Sequence, residues 1–305
     1  MQNMELIYQN MDNLVIHVQP GQNLQEAISS APAGSTLSLA AGTWREKIVI
    51  TTPGLTLRGE GMDKTRIVYD DYAKKTGADG KELVTFRTYT VAVCADGVTF
   101  SDLAIVNDAL HPEEKGQEVA LTVYGDAFTA ENCLLSSTQD TLFAGPLPPD
   151  LIARYDGFLM DILRADKPCR QVYRQCRIEG TVDFIFGCAD ALFDRCEIRS
   201  VYDVRGHGYV AAPSHTAAQR RGFVFRECAF IRDPRVVDGI IYLARPWRDY
   251  GLCSFQDCTY DTHISPLGFD HWNGTERENT ARFFETPAVP GRVDWCNRPE
   301  RLPED

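Results

Sequence analysis

One phrase occurs twice in this chain, and it limits the fold more than any other feature. Residues 133–143 read CLLSSTQDTLF and residues 176–186 read CRIEGTVDFIF, both of the form Cys-x-x-x-x-Thr-x-Asp-x-x-Phe. Repeats that stack bring equivalent positions side by side, so Asp140 and Asp183 share one phase of the repeat. On neighbouring coils their carboxyl groups would sit about 5 Å apart, the spacing of adjacent strands. Two acids that close rarely share one charge state, and that split is what acid–base and nucleophilic chemistry uses.

The frame is wider than these two phrases. Cys133, Cys176, Cys196, Cys228 and Cys258 each follow polar residues and precede an apolar one, and an aromatic residue opens each unit, as in FDRCEI (193–198) and FRECAF (225–230). FSDLAI (100–105) repeats the unit with Leu in place of Cys. The cysteines are 43, 20, 32 and 30 residues apart, which is a turn of roughly 20–30 residues with insertions, as in a solenoid. Short runs rich in β-branched and aromatic residues make it an all-β solenoid. The 43-residue step reads as one coil plus an excursion, with the proline-bearing segment 144–158 as a projecting loop. LQEAISSAP (24–32) has helical apolar spacing and ends at proline. It is expected to be a short N-terminal helix capping the first coil, whose strand edge is otherwise bare. Nothing marks a second domain, so residues 1–305 are read as one, with the segment from about Phe284 packing back over the solenoid.

Ten cysteines raise metal or disulfide readings, but there is no CxxC pair and the histidines are scattered, so zinc spacing is absent. The five in the frame read as a ladder of buried free thiols behaving as small hydrophobes, which favours a reducing compartment. A net charge of −12 with no Lys/Arg-rich run argues against nucleic acid as a partner. An acidic protein acting on an anionic polymer would need a local basic contact. No run is long enough to span a membrane. The first twenty residues lack a basic region followed by an apolar stretch, so the expected location is cytoplasmic, or secreted if a leader has been removed. A capped solenoid is expected to be a monomer.

Chemistry-bearing residues cluster in few places. Asp in a loop is ordinarily a solvated turn residue, yet Asp183 lies in the apolar stretch VDFIFG, where it is either an error of pattern or a functional group held in place. Gln139 adjoins Asp140, and Gln117 opens QEVAL one coil earlier; Gln amides donate to developing oxyanions. Arg245 and Trp247 lie in LARPW (243–247). An Arg beside an Asp lowers its pKa and fixes its orientation, and a Trp stacks on sugar faces. Asp203 also falls seven residues after a cysteine, Cys196, but without the Thr and Phe of the repeat it reads as a coincidence or a surface residue. His207 and His215 read as loop residues. There is no GxSxG and no Ser–His pairing in the frame.

GTVDFIFG (180–187), QDTLF (139–143), QEVAL (117–121) and LARPW (243–247), in this order, closely resemble the pectin methylesterases, and the likeness runs from about Val18 to beyond Trp272. The resemblance implies a right-handed parallel β-helix that hydrolyses the methyl ester on galacturonate units of pectin, or of methylated oligogalacturonides, without metal or cofactor. It makes Asp183 the nucleophile, Asp140 the general acid and then base, Gln117 and Gln139 the oxyanion donors, and Arg245 the residue that orients Asp183 and depresses its pKa. Trp247, Phe143, Val182, Phe186, Thr88 and Phe269 fall to the substrate site, Phe269 standing where the family usually has Trp. The missing leader suggests imported oligomers as substrate. Other readings of a β-solenoid are a pectate lyase, which needs clustered acids for calcium, a galacturonan hydrolase with its carboxylates set around a glycosidic bond, and an inactive sugar-binding β-helix.

Overall fold

The computed structural model describes residues 14–109, 116–155 and 169–298. Each coil turns a corner at the polar residue ahead of the frame cysteine. Asn132, Gln175, Arg195, Glu227 and Asp257 all have φ between 50° and 52°, in the left-handed region that L-residues adopt reluctantly. The bend turns the next side chain inward: Cys133, Cys176, Cys196 and Cys228 are buried and Cys258 is half-buried. Asp102 does the same ahead of Leu103 (φ 55°), which explains why Leu and Cys alternate in the frame.

Strands before and after these corners stack in parallel into three sheets of ten, eight and seven strands, the architecture of a parallel β-helix. In the ten-stranded sheet, Arg170–Arg174, Asp190–Asp194, Phe223–Arg226 and Leu252–Gln256 pair in register. Side chains alternate across a strand, so Tyr173, Phe193, Phe225 and Phe255 point inward as one column. Their rings stack nearly parallel at 4.9, 4.6 and 4.8 Å. Beside this column runs the thiol ladder, in which Cys196, Cys228 and Cys258 donate to the carbonyls of Tyr173, Phe193 and Phe225. Hydrogen bonding to Cys196 and burial push the Cys228 thiol up to about 12. All ten cysteines are free.

Both ends are closed. The helix Leu24–Ser30 is capped by Asn23, whose side chain accepts from Glu26 N–H, and it buries Leu24 and Ile28. Its Gln25 amide both accepts from Val49 N–H (2.7 Å) and donates to Val49 C=O (3.0 Å). A single side chain thus replaces the missing neighbour of Ile48–Ile50, the edge strand of the seven-stranded sheet. At the other end Phe284 lies in the last strand, Arg282–Thr286, which pairs with Leu252–Gln256. The chain turns back only after this strand, later than the sequence suggests, and Trp295 packs on Phe283 and Phe269. The expected projecting loop contains a short helix, Pro149–Arg154; its last part, 156–158, lies outside the described residues.

Candidate active site

The seven-stranded sheet carries the site. Leu142 pairs with Ile185 and Phe143 with Phe186, so Asp140 and Asp183, each two residues before the first of these pairs, lie at one level on adjacent coils. Asp140 N–H donates to Val182 C=O (3.0 Å). Both acids have positive φ, 66° and 50°, a region that L-residues adopt reluctantly. Gly187 (φ 125°) closes the strand behind Asp183; an added Cβ there would lie 2.1 Å from the Ala144 carbonyl oxygen.

Arg245 reaches Asp183 from two coils further on. Its N–H donates to Ala211 C=O (2.9 Å), and its guanidinium grips the carboxylate with two hydrogen bonds, Nε–Oδ1 2.8 Å and Nη2–Oδ2 2.6 Å. The guanidinium plane is held between Tyr209, 3.7 Å from the ring centre, and Trp272, at 4.1 Å. Such sandwiching restricts the Arg to the plane that serves a carboxylate.

The two acids differ in surroundings. Burial and the neighbouring Asp183 charge push Asp140 well above the usual carboxylate range. Burial also pushes Asp183 up, against the opposing pull of the Arg245 fork. The net direction for Asp183 is therefore upward, not downward as the sequence suggests, because a carboxylate buried this deeply loses more hydration than one guanidinium returns. The order between them is kept: the proton belongs on Asp140 and the charge on Asp183 beside Arg245.

The acids open into a groove of about 420 Å³, also lined by Gln117, Gln139, Arg245 and Trp247. Phe86, Phe186, Trp272 and Tyr155, the residue that follows the helix Pro149–Arg154, give it apolar lining. Arg248 ties that helix to the site through Asp150 (2.7 Å). A family model described as Pectinesterase matches residues 19–146 and 157–295. The chain belongs to the pectinesterase family.

Pectinesterase 31 of Arabidopsis thaliana is 28% identical over 290 residues, covering 90% of this chain and 82% of that protein. The probable pectinesterase/pectinesterase inhibitor 64 of the same plant is 30% identical over 92% of this chain, but the chain spans only 46% of its length. Among solved structures, pectin methylesterase from carrot superposes with a TM-score of 0.76 at 25% identity, over 92% of this chain and 86% of that one. A pectin methylesterase in complex with a hexasaccharide gives 0.73 at 27% identity, over 87% and 83%.

Asp140, Asp183, Gln117, Gln139, Arg245, Trp247 and Phe186 come together at the groove. Four other expected contacts do not line it. Phe143 is fully buried behind Phe186, ring centres 5.0 Å apart. Val182 is buried and serves through its carbonyl. Thr88 is buried and bridges Thr85 C=O and Val119 N–H. Phe269 is 1% exposed in the inner aromatic column, because a parallel bridge to Ala244 turns it inward. Trp272, three residues later and outside every motif of the sequence, lines the groove instead. Asp203 is not a surface residue: its side chain is buried and paired with Arg205. His215 is buried, with Nε2 at 3.0 Å from Ala189 O and Nδ1 accepting from Leu252 N–H.

Proposed function

We propose that the groove hydrolyses methyl esters of galacturonate units in pectin or its oligomers by covalent catalysis at Asp183. The single observation that carries this reading is the pair of buried carboxyls at one level, one gripped by Arg245 and the other not. Ionised Asp183 attacks the ester carbonyl carbon. Nε2 donors of Gln117 and Gln139 support the resulting oxyanion. Protonated Asp140 gives its proton to the departing methoxide, so methanol leaves and an anhydride to Asp183 remains. Asp140, now charged, takes a proton from water, and the hydroxide attacks the substrate acyl carbon. The acyl carbon–Asp183 oxygen bond breaks, Asp183 is freed as carboxylate, Asp140 is protonated again, and the product acid loses its proton to solvent as it departs. The hexasaccharide bound to a structural relative supports an oligosaccharide as the occupant of the groove.

The test is methanol release from highly methylated pectin and from methylated trigalacturonate. Asp183→Asn should lower kcat about 10⁴-fold or more, as loss of a nucleophile does, while the far-UV spectrum is kept. Turnover near the wild-type rate in that variant would overturn the assignment. An unsaturated product would indicate a lyase instead, and new reducing ends a hydrolase.

A further inference from the structure

Arg205 repeats, on the Gln139 side of the site, the arrangement by which Arg245 serves Asp183. Each arginine sits two coils beyond the group it contacts. Arg245 passes over Tyr209 to reach Asp183. Arg205 passes Thr181, Nη2 to Oγ1 3.4 Å, and donates from Nη1 to Gln139 Oε1 at 2.9 Å. Its other edge is gripped by Asp203, with Nε to Oδ1 2.9 Å and Nη2 to Oδ2 2.5 Å. Asp203 also accepts from the Arg205 backbone N–H (2.8 Å). An amide has one acceptor end and one donor end. With Oε1 taken by Arg205, the Gln139 NH₂ must face the groove, toward Asp140.

The next coil contains a built-in comparison. Asp233 and Arg235 form the same Asp-x-Arg turn, with Arg235 N–H and Nε both donating to Asp233 Oδ1 at 3.0 and 2.9 Å. There the arginine is 67% exposed and rests on Tyr202. The turn is therefore a device of the fold, and only the copy beside the site adds a bond to a groove residue. We infer that Arg205, braced by Asp203, is a positioning residue that locks the Gln139 amide in its donating orientation for the reaction. Its charge also opposes the upward shift of both acids, alongside Arg245.

This inference rests on the proposed role of Gln139, and the experiment separates the two. Methanol release is measured for Gln139→Ala, Arg205→Met, the double variant, and Arg235→Met as the turn control. Gln139→Ala should lower kcat about 100-fold and Arg205→Met about 10-fold, with KM within about twofold, as expected for a transition-state donor and its support. In the Gln139→Ala background, Arg205→Met should change kcat less than about twofold, because residues that act through one another are not additive. Arg235→Met should leave kcat unchanged. If Arg205→Met does not fold, Asp203→Asn combined with Arg205→Gln removes the paired charges together and enters the same cycle. Additive losses, or an unchanged kcat in folded Arg205 variants, would overturn the positioning role while leaving Gln139 in place. A fully active Gln139→Ala would overturn both.

Discussion

At the scale of single residues, the site depends on two carboxyls whose proton affinities burial raises and nearby charges separate. A raised pKa means that the folded state prefers the protonated acid. The stability penalty of Asp140 is therefore absent below the unfolded pKa of about 3.9 and grows as pH rises toward the folded value. Asp140→Asn removes that penalty. It should abolish methanol release yet raise Tm at pH 7 by about 2–6 °C, with a smaller gain at pH 4. Calorimetry at the two pH values checks this, and a lower Tm at pH 7 would mean that Asp140 is stabilised by partners rather than strained by burial. Arg245 acts in the opposite sense, since its charge lowers the pKa of both acids. In Arg245→Gln both limbs of the kcat/KM profile should move to higher pH. The acid limb, set by Asp183, should move further because that residue also loses two hydrogen bonds. An unmoved acid limb would show that the ion pair does not set the charge of the nucleophile.

At the scale of the coil, the corners carry strain that the sequence does not announce. Five consecutive frame units turn at a non-glycine residue with positive φ, and only two of these, Asn132 and Asp257, belong to types that favour that region. Gln175 is exposed, with φ 50°. Replacing it with glycine should stabilise the protein by up to about 1 kcal/mol, because the local strain is relieved against a more flexible unfolded chain. Gln175→Val should destabilise by roughly 1–3 kcal/mol, since a β-branched residue fits that region poorly. Denaturant titration of the pair gives the test, and equal stabilities would mean that the corner is not strained. The polar residue of each corner is plain in the sequence, but its conformation is not, because polarity there reflects exposure and the left-handed turn reflects stacking of the coils.

At the scale of the whole molecule, the repeat made much of the fold legible: the coil frame, the inward thiols and the level placement of Asp140 and Asp183, while apolar spacing alone showed the N-terminal helix. The groove walls were less legible. Phe143 faces the same side as its register partner Phe186 but is covered, Phe269 points to the interior, and Trp272 and Arg205 reach the site from separate coils through loops of variable length. A side chain's face follows from strand parity, which the sequence shows, whereas a loop's reach follows from neighbouring coils, which it does not. Charge is the remaining property of the whole chain. The protein carries −12 overall and the proposed reaction on pectin would leave a polyanion, so long-range repulsion opposes binding of partly demethylated chains. Of the three arginines that line the groove, Arg245 and Arg248 are each committed to an acid at 2.6 and 2.7 Å and Arg154 lies over the Tyr155 ring, so they offset little of that field at a distance. The Debye length falls from about 30 Å at 0.01 M salt to about 8 Å at 0.15 M, less than the span of several coils. Over this range KM for half-demethylated pectin should fall several-fold, while KM for fully methylated pectin, which is uncharged, stays nearly constant. The measurement is methanol release on the two substrates across a salt series at fixed pH. A KM that rises with salt on the anionic substrate would show that local arginines, and not the net charge, govern its approach.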